Sequence, residues 1–281
     1  KHGGRVTMPK FGPAGNSESF AALGYKNSLQ VPEYIVRMGL DCYEYQCGRG
    51  VNIGEDKARQ LGEKAKAAGV ISMSSVEEEK RLNSINYILA SAKAVNAMGG
   101  DRIVVHTGSC GKISREQALT LALDTMKKAL DALDSEGLSH IHICPETMGK
   151  VNQLGTLNEV LELCRLDERL IPCIDFGHLN ARDLGVLKTT ADFENIFTSI
   201  KNALGTDRLK CFHSHFSKIE YTTGGEKRHL TFEDTVFGPD FEPVMELTYK
   251  YGCDPTFICE SAGTQAEDAK QMKVYYLSLT K

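Results

Sequence analysis

The sequence predicts an α/β protein built as a single closed (β/α)8 barrel, the TIM-barrel architecture. Three observations lead there. Short β-rich runs alternate with longer helical patterns along the chain, as a parallel α/β fold requires. Eight such runs are present, one for each strand of the barrel. No GxGxxG or P-loop motif follows any of them, which argues against an open nucleotide-binding sheet. At 281 residues the chain has the ordinary length of one barrel, so a single domain over 1–281 is expected. Lys1–Gly4 reads as an appended or frayed end and stands outside the fold argument.

The elements follow in order. Strands are expected near Pro9–Gly12 and Cys42–Gln46, then a Lys-, Glu- and Ala-rich helix over Asp56–Ala68, stopped by Gly69 at its C′ position. A third strand, Val70–Ser72, leads into a helix over Val76–Met98. That helix opens with three glutamates, which suit the positive end of its dipole, and closes at Gly99-Gly100. After a strand at Arg102–His106, Ser114 and Gln117 stand at capping-box spacing before an amphipathic run to Glu136. Strands at His142–Glu146 and Ile171–Asp175 flank a short helix at Thr156–Leu163. A helix at Asp192–Leu204 precedes a strand at Leu209–Ser214. Phe216–Asp240 reads as a loop over the active face, before a helix at Phe241–Tyr251, the eighth strand at Thr256–Glu260, and a closing helix from Thr264.

Composition bounds the function. With 41% hydrophobic and 25% charged residues, this is an ordinary globular chain able to bury a large core. A net charge of −4 provides no global basic field for nucleic acid, so a DNA partner would need a local basic rim. The nine cysteines form no CxxC pair. Cys144, Cys173, Cys211 and Cys259 lie in apolar runs, where cysteine acts as a small hydrophobe. A reducing cytoplasm is therefore expected, and no apolar run or leader segment points to a membrane or to secretion.

In such barrels function sits where strands end. Strands four to eight end in or beside His106, Glu146, Asp175 (with His178 three residues on), His213 and His215, and Glu260. Taken singly, a strand-end His is usually a satisfied rim residue, and a carboxylate there is usually a helix cap. Taken together they crowd carboxylates that would repel one another, and a divalent cation is the simple way to hold them. Imidazole with carboxylate suits zinc, manganese or iron(II). Basic residues that could hold phosphate are Lys218, Lys227 and Arg228, and a Gly48-Arg49-Gly50 turn could aim Arg49 at the site.

The segments IVVHTG (103–108), ICPE (143–146), CIDFGH (173–178), His213–Lys218 and ICESAG (258–263) resemble the endonuclease IV family in order and spacing, over nearly the whole chain. The resemblance implies a (β/α)8 barrel with three zinc ions that cleaves DNA on the 5′ side of abasic sites, and kinship with single-metal sugar isomerases and epimerases. It implies metal ligation by Glu146, Asp175, His213 and Glu260 at one ion, with Glu146 bridging to a second ion held by His106, and His178 and His229 at a third. Glu146 and Glu260 carry over as the catalytic carboxylates.

Two departures stand out. Where the family has Asp-x-His, this chain has Lys227 two before His229, with Glu226 adjacent as the available substitute. The family's His-x-Pro-Tyr after strand three is missing, and Ser72 runs directly into Met73-Ser74-Ser75. Either residues have been deleted there, or a loop belonging between Ser72 and Met73 is absent from the sequence as written. The second reading is preferred and predicts a gap between those two residues; a normal peptide bond there means a true deletion, which removes a ligand of the second ion and favours the single-metal isomerase.

The leading functional expectation is a zinc-dependent (or manganese-dependent) endonuclease acting on damaged DNA in repair, with two or three ions. The alternative is a sugar isomerase or epimerase with one ion and a small sugar as substrate. A barrel that binds without catalysing is the third class, and the number of bound ions separates the three.

Overall fold

The computed structural model describes residues 7–48, 50–76 and 81–281. Arg49 and the three glutamates expected to open a helix at 77–79 lie outside the described residues. Eight parallel strands form the barrel: β1 Lys10–Pro13, β2 Cys42–Gln46, β3 Ile71–Val76, β4 Arg102–Val105, β5 His142–Pro145, β6 Cys173–Asp175, β7 His213–Phe216 and β10 Thr256–Cys259. Two sheets, β2-β3-β4-β5 and β6-β7-β10-β1, account for all eight. They meet through parallel bridges Ala14↔Glu44 at one seam, and Ile143↔Leu170 and Glu146↔Cys173 at the other. Every strand thus has two neighbours, and the barrel is closed.

Helices cover the outside: α1 Glu18–Ala22 and α2 Val31–Arg37 between β1 and β2, then α3 Glu55–Ala68, α4 Arg81–Ala97, α5 Arg115–Ser135, α6 Leu157–Cys164, α7 Phe176–Arg182, α8 Thr190–Leu204, α9 Thr206–Cys211, α10 Glu242–Tyr251 and α11 Gln265–Leu279. The punctuation expected of α3 and α5 is present. Gly69 adopts the left-handed conformation after α3, and Ser114 and Gln117 close a reciprocal capping box on α5. The main apolar core lies between strands and helices. Two small clusters, Ala14/Cys42/Met73/Ile258 and Val104/Cys144/Ile171/Cys173, fill the barrel. No described helix is long and apolar enough to cross a membrane.

Four expectations change. β3 is six residues long and runs through Ser72 and Met73, which face Tyr43 and Glu44 across an unbroken ladder, so the gap expected there is not found. Val76 is accordingly strand, and the following helix begins at the described residue Arg81. β6 begins only at Cys173, because Pro172 has no N–H to give the ladder. Thr206–Cys211 is helical, its single buried residue Leu209 being helix spacing rather than strand alternation, and β7 starts at His213. Within Phe216–Asp240 lies an antiparallel hairpin, β8 Ile219–Thr222 and β9 Gly225–His229, turned at Gly224-Gly225.

Candidate metal centre

Alternation along a strand sends every second side chain into the barrel, and register decides how high each one sits. On β5 the inward positions are Cys144 and then Glu146, just past the strand end. On β7 they are His213 and His215. Asp175 of β6 is level with His215, as is Ile258 of β10, so Glu260 stands one step above them. Cys173 and Thr256 are level with His213. The ring of donors at the C-terminal mouth therefore contains His215, while His213 lies a layer below.

Glu146 is the centre of this ring and is completely buried. Its Oε1 is 2.9 Å from His215 Nδ1 and 3.3 Å from His178 Nδ1, and its Oε2 is 3.0 Å from His106 Nε2. Glu260 Oε1 lies 3.4 Å from the same His215 Nδ1. Donor atoms of Glu146, Asp175, His178 and Glu260 all fall within 4.8 Å of one another, as do those of His178, His229 and Glu260. Glu226, on the hairpin, reaches in from above: its carboxylate oxygens are 3.3 Å from His178 Nε2 and 3.6 Å from His229 Nε2. The open space between them is a polar cavity of about 220 Å³, also lined by Gln46, Ser75, Lys150 and Gln153.

The surrounding chain orients these donors. Asp175 caps α7 by accepting from the His178 amide at 2.7 Å. The Thr147 carbonyl, which can only accept, lies 2.9 Å from His178 Nδ1. That places the His178 proton on Nδ1 and leaves the Nε2 lone pair facing the Glu226 carboxylate. In a neutral ring such a lone-pair-to-lone-pair contact needs a second proton on the imidazole or a metal ion between the atoms. Asp175 Oδ2 and Glu146 Oε2 are buried with no hydrogen bond, His106 approaching the latter at ion-pair distance without hydrogen-bond geometry. Orphaned carboxylate oxygens in a closed ring of imidazoles fit divalent ions of the zinc and manganese class.

The electrostatics agree. Burial pushes the Asp175 carboxyl up to about 8, with the Glu146 and Glu260 charges adding to it against His178 and His215. Burial opposes the charged form of His178 and His215, yet facing carboxylates raise both well above an ordinary histidine. Without ions, protons hold the ring together.

Of the residues expected here, Glu146, Asp175, Glu260, His106, His178 and His229 converge. His213 does not. Its Nε2 binds Glu44 Oε2 at 3.1 Å and its Nδ1 faces Arg102 at 3.5 Å, so His215 takes the expected place. The basic residues are also elsewhere. Lys218 donates to the Asp234 carbonyl and pairs with Asp240, while Lys227 and Arg228 both pair with Glu220 on the hairpin. Among the described residues, Lys150 is the lysine that lines the cavity. Glu44 was missed, although its signal was legible: a glutamate between apolar neighbours, on the inward face with Cys42 and Gln46.

Fold and site together define a (β/α)8 barrel that gathers imidazole and carboxylate donors at its C-terminal mouth. The chain belongs to the xylose isomerase-like TIM barrel family, whose model matches residues 32–275. It is 32% identical over 278 residues to an uncharacterized protein of Methanocaldococcus jannaschii, covering 96% of this chain and 98% of that one. A probable endonuclease 4 of Mycoplasma pneumoniae is 31% identical over 180 residues, 61% of this chain and 58% of the relative. Among solved structures, endonuclease IV from Thermus thermophilus aligns with a TM-score of 0.66 at 14% identity, covering 96% of this chain and all of that one. D-psicose 3-epimerase with D-tagatose from Clostridium cellulolyticum aligns with a TM-score of 0.65 at 10% identity, over 96% and 98%. At these identities both structural likenesses speak for the fold alone.

Proposed function

We propose that this chain is a divalent-metal phosphodiester hydrolase of the endonuclease IV kind, acting on DNA at abasic sites. The observation that carries the reading is the number of donors. His106, His178, His215, Glu226, His229 and Glu260 line one small cavity, and Glu146 and Asp175 adjoin them. A catalytic zinc takes about three protein ligands and keeps one position open, so eight donors suit two or three ions and exceed the needs of one. Glu146, Asp175, His215 and Glu260 would hold one ion. Glu146 would bridge to a second, held by His106, and His178, Glu226 and His229 would hold a third. Bound there, the ions would supply Lewis acidity for the phosphoryl group and activate water.

The chain's own residues do the positioning. Arg182, buried under the mouth, donates to the carbonyls of Met148, Lys150, Val151 and Gln153, and Arg115 adds bonds to those of Val151 and Gln153. This stiffens the segment that carries Lys150 and Gln153 to the cavity, where they would receive a phosphate. The test is incision of an abasic-site duplex by protein loaded with zinc or manganese. Strand cleavage beside the abasic site is expected, and protein carrying two or more ions that leaves the duplex intact sinks the reading.

A second reading is favoured by three observations: β3 runs unbroken through Ser72 and Met73, the cavity is small, and the hairpin's Lys227 and Arg228 are paired with Glu220 instead of forming a basic rim. A sugar epimerase would use such a closed site with one ion, with Glu146 and Glu260 as proton-transfer groups. One bound ion and epimerisation of a ketose would select it.

A further inference from the structure

We propose that Glu44 is a positioning residue that sets which nitrogen of His215 is offered to the metal centre. Glu44 is completely buried at the middle of β2, on the inner face of the barrel. Its Oε2 accepts from two imidazoles at once, His215 Nε2 at 3.0 Å and His213 Nε2 at 3.1 Å, and its Oε1 accepts from Gln46 Nε2 at 3.2 Å. Glu44 lies within reach of the His215 and Glu260 donors, but both of its oxygens face N–H groups, which suits a supporting role behind the imidazole. An ionised carboxylate only accepts, so the proton of neutral His215 is held at Nε2. The lone pair is then at Nδ1, the atom that faces Glu146 and Glu260. A carboxylate behind a ligating imidazole fixes its tautomer and ring angle and strengthens it as a donor.

His213 completes the arrangement from below. Arg102 lies beside its Nδ1 while its Nε2 donates to Glu44, so this buried ring shares the carboxylate with His215 and steadies it. Gln46 extends the same contact upward to the cavity wall, since it is bonded to Glu44 and lines the cavity. One carboxylate thus ties the floor of the barrel to the metal-facing ring.

The inference rests on the metal reading of the site, and the experiment separates the two. Zinc affinity is measured on the full chain by competition with a chromophoric chelator, for wild type, Glu44→Gln and Glu44→Asp. Histidine ring ¹⁵N spectra of the zinc-loaded proteins are recorded beside it, with His215 assigned through a His215→Gln variant. In Glu44→Gln the one oxygen that both imidazoles share becomes either a neutral amide oxygen, a weaker acceptor than the carboxylate, or an NH₂ group that faces both N–H donors. Zinc affinity is expected to fall by roughly 10–100-fold, the usual cost of losing such a partner. The Nδ1-bound, Nε2-protonated pattern of His215 should be lost, while Glu44→Asp recovers part of both. Unchanged affinity and an unchanged ring pattern in Glu44→Gln overturn the inference while the metal reading stands. Should Glu44→Gln fail to fold, wild-type affinity in Glu44→Asp overturns it and intermediate affinity supports it. A wild-type protein that binds no divalent ion overturns both.

Discussion

Glu260 and Glu146 show how single residues take unequal roles in one ring of charge. Glu146 is wholly enclosed and in contact with three imidazoles, whereas Glu260 sits at the rim with about a fifth of its side chain exposed. Replacing Glu146 would strand several buried histidines. Glu260→Gln instead removes one charge at almost constant volume and leaves no cavity. The fold is expected to survive and turnover to fall by more than the roughly 10–100-fold typical of outer partners. Wild-type turnover in that variant, at equal metal content, would detach Glu260 from the chemistry. Residue identity was readable for most of the ring, because His106, Glu146, Asp175 and Glu260 each end an apolar run. Which histidine of β7 belongs to it was not. His213 and His215 share one face, and only the register of β7 against β6 and β10 puts His215 level with Asp175.

At the scale of elements, the site depends on the β8–β9 hairpin closing over the β5–α6 segment. Two glycines permit that approach. A Cβ on Gly225, whose φ is +90°, would lie 2.2 Å from the Gly149 carbonyl oxygen. A Cβ on Gly149 would lie 2.7 Å from Glu226 Cβ and 2.9 Å from the His178 ring. Gly149→Ala is therefore expected to push Glu226 away from His178 and remove one ion's worth of binding, leaving the barrel folded. Elemental analysis checks this, with unchanged stoichiometry as the contrary result. Strands and helices were legible where their signals are local: Gly69 and the Ser114–Gln117 box behave as spacing implies. The hairpin was hidden because its strands form a two-stranded sheet outside the barrel, bridged to it at Lys150↔Gly225, and carry charged residues outward, so their alternation is weak. β3 was read too short, ending at Ser72, because Ser74 and Ser75 look like a helix start. All three are buried here, in a strand whose neighbours on both sides supply its ladder.

For the molecule as a whole, the decisive property is that its mouth stores charge that only protons or cations can balance. Asp175, raised to about 8 by burial and its acidic neighbours, holds a proton in the folded metal-free chain that the unfolded chain has already lost above its ordinary value near 3.8. The sign follows directly. This group's contribution is fully present below the unfolded value and is lost as pH rises through about 8. His178 and His215, also raised, act in the same direction above the ordinary histidine range. Metal-free protein should therefore lose stability from pH 6 to pH 8 through these groups. Ions that displace the protons should restore it, so the gain from metal should grow over that window. At a free concentration about 100 times Kd, one site stabilises by about 2.7 kcal/mol. For a chain of this size that corresponds to a rise in Tm of roughly 5 °C. Melting with zinc and with chelator at pH 6, 7 and 8 checks both sign and size. A metal-dependent gain that is flat or falling with pH would mean that the ions do not replace these protons, and no gain at any pH would mean that the ring at the barrel mouth is a network of histidine–carboxylate ion pairs instead of a metal centre.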